Sequence, residues 1–160
     1  MSIILEPGVR LIISKAEEKD LPEILELQRL AFYENSIRYK DPNMPPMPQT
    51  LEELKEESMG QKFLKATENG MIVGAVRGRM DGDVCRISKM MVRPDHQNRG
   101  IGQKLMAAIE AEFNARIYEL RTGHLDEKND FLYKKLGYVL TGEKEKITDT
   151  MWFVRFRKEI

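Results

Sequence analysis

Apolar residues recur along this chain with two periods, and the switches between them divide it into elements. "VRLIISKA" (residues 9–16) is β-branched and apolar and predicts a strand. Asp20-Leu-Pro-Glu23 follows, with Asp20 suited to cap a helix, Pro22 to its first turn and Glu23 to close a capping box. Ile24, Leu27 and Ala31 then repeat at helical spacing to about Tyr33. "DPNMPPMPQ" (residues 41–49) has four prolines and predicts a loop between two helices. Thr50-x-x-Glu53 opens the second, short helix, "LEELKEESM".

From Phe63 the period changes to that of strands. Asn69-Gly70 lies between two apolar runs, the signature of a tight hairpin, and Asp81-Gly82 makes another turn before "VCRISKMMV" (84–92). A helix from about Gly102 to Phe113 puts Leu105, Ile109 and Phe113 on one face. "IYELRTG" reads as a strand, and "EKNDFLYKKLGY" as a helix ending at Gly137, a left-handed cap. "YVLTGEKEKITDTMWFVRFRK" closes the chain as two strands. The order β-α-α-β-β-β-α-β-α-β-β is that of a mixed α/β (α+β) domain, with no repeat or low-complexity tract.

Composition narrows the function. One domain over residues 1–160 is expected from the length. Lys plus Arg is 26 and Asp plus Glu is 26, so nothing marks a basic nucleic-acid binder. The single Cys85 excludes an internal disulfide and fits a reducing compartment. No apolar run approaches the roughly 20 residues of a membrane span, and "MSIILEPGVR" lacks the charge and apolar core of a secretory signal. A cytoplasmic protein is expected, with no membrane or nucleic-acid partner. A homodimer is the commonest assembly for small enzymes of this kind.

The candidate chemistry lies in "MMVRPDHQNRGIGQKL" (90–105), where a strand turns into a helix. Gly100 and Gly102 clear space for backbone to approach a ligand. The first N–H groups of the helix lack intrahelical acceptors, and with the dipole they suit a phosphate. Arg93 and Arg99 add charge; Gln97 and Asn98 add donors. Two glycines alone read equally as a tight turn. The spacing fits neither a Walker A loop nor a dinucleotide-binding fingerprint, which would need a third glycine where Leu105 stands.

Gln97-x-x-Gly100-x-Gly102 resembles the coenzyme A motif Q/R-x-x-G-x-G/A of the GNAT N-acetyltransferases. "TGHLDEKNDFLYKKLGY" is similar to their segment T-G-x-x-S-x-x-N-x-x-L-Y-x-K-x-G-Y, with Asp126 where that pattern has Ser. The resemblance implies a mixed sheet of about seven strands flanked by about four helices and splayed at the coenzyme A site. It implies that Met90, Met91 and Val92 pair with the pantetheine arm, with a backbone N–H near Met91 facing the thioester carbonyl. The pyrophosphate would sit on Gln97, Asn98, Arg99, Gly100, Ile101, Gly102 and Gln103, and Asn129 would contact the cofactor. Tyr133 would stand by the sulfur as general acid. The implied activity is direct transfer of an acetyl group from acetyl-CoA to a primary amine of a small molecule or peptide, without metal. A domain that binds acyl-CoA as a sensor without turnover is the alternative.

Other residues say less. Glu34 follows the first helix, where acceptors lie in this family, and is a candidate base, although glutamates there are mostly solvated. Met44, Met47 and Met59 are candidates to line an acceptor cleft, and Cys85 reads as a packing residue. Acceptor contacts are expected from residues 20–60 and 140–155.

Overall fold

A computed structural model describes residues 2–6 and 9–160 of the chain. Part of the sequence used above to exclude a signal, Met1, Pro7 and Gly8, lies outside the described residues. The elements are β1 (Ser2–Glu6), β2 (Val9–Lys15), α1 (Leu21–Arg38), α2 (Leu51–Met59), β3 (Lys62–Glu68), β4 (Met71–Asp81), β5 (Val84–Val92), α3 (Ile101–Phe113), β6 (Ile117–Gly123), α4 (Glu127–Lys135), β7 (Val139–Lys146) and β8 (Trp152–Glu159). They form one sheet of order β1-β2-β3-β4-β5-β6-β8-β7. Every neighbouring pair is antiparallel except β5–β6. The expected order is present, with β1 as an added edge strand.

Alternation along the strands feeds a core on each face. Leu64, Val73 and Val76 face α3, whose Ile101, Leu105, Met106 and Ile109 are buried with Tyr133 and Phe156. Phe63, Ile72, Ala75 and Met91 face α1 and α2, where Leu21, Ile24, Leu27 and Leu54 are buried. Burying each such side chain contributes roughly 1.5–3 kcal/mol. Because β4 is covered on both sides, it reads as an unbroken apolar run instead of an alternating one. Cys85 is wholly buried, and burial pushes its thiol up to about 11, with the Glu110 carboxylate adding to the shift. It packs, as its sequence context suggests.

Local signals hold where no long-range partner competes. Thr50 and Glu53 form the expected capping box. Asn69 and Gly70 both have positive φ, as the tight hairpin requires, and Gly137 ends α4 at φ 96°. The Asp20–Glu23 box does not form. Asp20 instead accepts from Lys65 Nζ (2.7 Å) and the Glu17 N–H (2.8 Å), and Glu23 accepts from the Ile72 N–H at 2.7 Å. Both carboxylates therefore pin helix to sheet. The first helix also runs on past Tyr33 to Arg38, so Glu34 lies inside it.

No helix among the described residues is long and apolar enough to cross a membrane.

Candidate functional site

The sheet opens between β5 and β6. Their pairing runs from Val84–Ile117 to Arg86–Glu119 and ends there. Beyond it, β5 carries Lys89 and Met90 opposite the single Val76 of β4, a bulge that bends the strand away from β6. Lys89 takes φ 52°, a left-handed conformation that a non-glycine residue seldom adopts. Two cavities lie against this opening.

The first cavity, about 660 Å³, is floored by the end of β5 and closed by the α3 N-terminus and the start of α4. Met90, Met91, Val92, Gln97, Asn98, Gly100, Ile101, Gly102, Gln103 and Asn129 all line it. Asn98 at φ 64° and Gly100 at φ 80° are left-handed, the kind of backbone turn from which anion-binding nests are built. The first bond of α3 runs from the Lys104 N–H to the Gly100 carbonyl, which leaves the N–H groups of Ile101, Gly102 and Gln103 without helical acceptors. A Cβ on Gly102 would stand 3.2 Å from Met90 Sδ, so the helix start packs closely on the side chain of the bulged strand.

Arg99 departs from the expected cluster. It does not line the cavity; its side chain is 44% exposed and lies 3.9 Å from Glu68. Adjacency in sequence placed it in the cradle, but the left-handed residues on either side turn its side chain out. His96 does line the cavity, with Nδ1 2.7 Å from Asp95. Glu34 is exposed on this side too, away from the acceptor region expected for a base.

The second cavity, about 480 Å³, shares Phe32, Asn35, Met90, Asp126 and Asn129 with the first. Tyr133 belongs here. Its ring packs 5.8 Å from Phe156 and 6.0 Å from Tyr138, centre to centre. Burial pushes its phenol well above the ordinary tyrosine value, and the Asp126 carboxylate adds to the shift. The group is therefore a neutral O–H donor at any physiological pH. Asn129 precedes it by one turn, at the junction of the two cavities.

Asp126, at the position where the resembled pattern has Ser, caps α4. Its Oδ1 accepts from the Asn129 N–H at 3.1 Å, and its Oδ2 from Asn129 Nδ2 at 2.9 Å. The carboxylate thus orients Asn129 as well as capping. Burial holds its carboxyl above the usual range, against hydrogen bonding from Asn129 and the nearby Arg38 and Lys128. The folded chain keeps this proton to higher pH than the unfolded chain, so folding is progressively penalised as pH rises through that window and constantly above it. Ser caps without ionising. In urea titrations, Asp126→Ser should gain stability relative to wild type as pH is raised from about 3 to neutrality; a difference independent of pH would contradict the shift.

The acceptor segments contribute unevenly. Met44 lines the second cavity, whereas Met47 packs behind it against Tyr39 and Met151, and Met59 is 84% exposed. The proline loop is tied down by buried Gln28, which donates to Gln49 Oε1 (2.8 Å) and accepts from Arg77 Nη2 (2.5 Å). Residues 147–155 close the other side. Glu57, Lys89 and Glu119 also line this cavity and carry no sequence motif. Glu57 was readable in one respect, since it lies three residues after Leu54 on the inward face of α2. Arg77, 1% exposed, lies 2.7 Å from Glu57 Oε2, and burial pushes its guanidinium down to about 10 against the pull of that carboxylate. Among the described residues no group of three or more His, Cys, Asp and Glu side chains could hold a metal ion.

Comparison with known proteins agrees with this fold. Residues 43–160 match the family model described as the acetyltransferase (GNAT) domain. Curated acetyltransferases of Yersinia pestis are 35% identical over 79 residues, which is 48% of this chain and 56% of theirs, so the match spans little more than half of those relatives. The fold resembles the PaiA N-acetyltransferase of Thermoplasma acidophilum, solved with coenzyme A, at TM-score 0.73 and 16% identity over 94% of this chain and 99% of that one. It also resembles the ribosomal-protein-S18-alanine N-acetyltransferase of Escherichia coli, at TM-score 0.76 and 18% identity over 94% of each.

Proposed function

The chain belongs to the GNAT acetyltransferase family, and on that premise we propose that residues 1–160 form one acetyl-CoA-dependent N-acetyltransferase domain acting on a primary amine. The observation that carries this reading is the pair of cavities meeting at Met90, Asp126 and Asn129. One is shaped for an anion by a nest and a helix start; the other holds a neutral phenol.

Bound acetyl-CoA supplies an activated acetyl group and a thiol leaving group. The chain's own residues divide the work. The N–H groups of Ile101, Gly102 and Gln103, with Gln97 and Asn98, hold the pyrophosphate. The edge of β5 beyond Arg86, left without β6, takes the pantetheine arm as an added strand through Met90, Met91 and Val92. A backbone N–H near Met91 polarises the thioester carbonyl and steadies the oxyanion. The acceptor approaches through the second cavity. Its nitrogen bonds to the acetyl carbon, its proton passes to water, and the C–S bond breaks while Tyr133 donates to the departing sulfur.

Calorimetry with acetyl-CoA tests the binding half. A saturable one-to-one isotherm is expected, and its absence would overturn the assignment of the first cavity. Arg99→Ala serves as an internal control. An exposed charge contributes roughly 0–1 kcal/mol, so the KM for acetyl-CoA should rise less than about fivefold. A loss of several orders of magnitude would mean that Arg99 does touch the cofactor.

A further inference from the structure

The floor of the second cavity holds more positive than negative charge. Lys89 reaches it from the left-handed bulge of β5, with Nζ 3.9 Å from Glu57 Oε1 and the side chain 28% exposed. The other oxygen of Glu57 lies 2.7 Å from Arg77. One carboxylate therefore answers two cations, and one of those cations is fully buried. The pair with Arg77 is not aligned as a hydrogen bond, and Arg77 Nε and Nη1 and Glu57 Oε2 all lack a hydrogen-bond partner among the described residues. Burial makes Lys89 give up its proton more readily than usual; Arg77 and Arg121 add to this, and Glu57 opposes it.

The remaining charges on the wall do not correct the excess. Arg86 is met by Asp81 and Glu119, and Arg157, which shares Glu119, is met by Glu159 as well, so these carboxylates are engaged away from Lys89. Arg121 pairs with Glu145, and Arg155 with Glu143. Arg79, exposed at the mouth, forms no ion pair among the described residues. Asp126 faces the cavity from the opposite wall and is occupied with Asn129. Two desolvated cations that share one carboxylate are costly, and an arriving anion lowers that cost.

We infer that the acceptor is an amine that also carries an anionic group, a carboxylate or a phosphonate, and that Lys89 receives this group. The inference rests on the second cavity being the acceptor site. Lys89 and Met90 both line this cavity and Met90 lines the first as well, so Lys89 stands beside the junction at which the acyl group would be delivered. Met44, Met151 and Phe153 offer an apolar wall for the rest of the molecule. A polyamine or a lysine-rich peptide would bring cations to a floor that already has too many.

The test measures binding of product mimics, so it does not depend on turnover. N-acetyl-L-methionine, its carboxamide and N-acetyl-aminoethylphosphonate are titrated by calorimetry onto the chain with and without coenzyme A. One or both anions should bind about 10–100-fold more tightly than the carboxamide, the range of a lost hydrogen bond to a charged group. The two anions separate carboxylate from phosphonate recognition. Lys89→Asn, a residue that accepts left-handed backbone, should abolish the preference, and Lys89→Arg should retain it. Circular dichroism checks that both variants fold. Equal binding of acid and amide, no binding by any of the three, or a preference that survives Lys89→Asn would overturn the inference. None of those results touches the acetyltransferase reading, which stands or falls on acetyl transfer to any amine, charged or not.

Discussion

Tyr133→Phe should slow acetyl transfer by about 10²–10³-fold, the effect of removing one preorganised donor from a developing negative charge, while acetyl-CoA binds as to the wild type. The substitution deletes one hydroxyl and leaves the ring that packs against Phe156 and Tyr138. Its effect should fall on kcat because the sulfur gains charge only as the C–S bond breaks. Burial raises the phenol above its ordinary value of about 10, whereas a model thiol lies near 8.5. Complete proton transfer to the thiolate is therefore uphill, and a hydrogen bond to it is not. Tyr133 acts in this account as a donor to the leaving group more than as a source of a free proton. A second expectation follows from the direction of the shift. The phenol stays protonated throughout the working range, so the pH–rate profile should carry no limb belonging to it. Rapid mixing under single-turnover conditions isolates the chemical step from product release. Transfer at the wild-type rate would reduce Tyr133 to a core residue.

Gly102→Glu should weaken acetyl-CoA binding by at least about 10²-fold, the loss of two or more hydrogen bonds to charged groups. The substitution separates binding from folding. Glu is a better helix former than Gly, and a carboxylate in the first turn favours the helix dipole, so α3 should not suffer. The same carboxylate repels phosphate and fills the cradle. The new Cβ would press only on the end of a flexible Met90 side chain, which can move, and would be in ordinary contact with Leu132. Gly100→Val is the poorer experiment, because φ 80° at residue 100 strains any β-branched side chain whatever the ligand does. Unchanged affinity in a folded Gly102→Glu chain would contradict the phosphate assignment.

Periodicity was enough to find every helix and seven of the eight strands, because each buries an apolar face and its ends carry strong turn or cap residues. The glycine loop between β5 and α3 was legible for a different reason. Its glycines are demanded by backbone geometry, and Gly100 at φ 80° shows that demand directly. Three features were not legible. Asp20 and Glu23 have the spacing of a local cap, but Lys65 and Ile72, far away in sequence, offered better partners. The bulge at Lys89 has no marker in "ISKMMV", since lysine is not a residue that turn chemistry would choose. Acceptor contacts were expected from the first two helices and the last hairpin; β4, β5 and β6 also line the second cavity, through Arg79, Lys89 and Glu119, which are far apart in sequence.

The most direct test of the central claim follows both products at once. The wild-type chain is mixed with acetyl-CoA and a panel of amines, and free coenzyme A thiol and N-acetylated amine are quantified together over time. Equal amounts of the two are expected with at least one amine, at a rate that falls in Tyr133→Phe. Acetyl-CoA that binds but yields no thiol above the buffer rate with any amine, or thiol released without acetylated amine, would contradict the central claim.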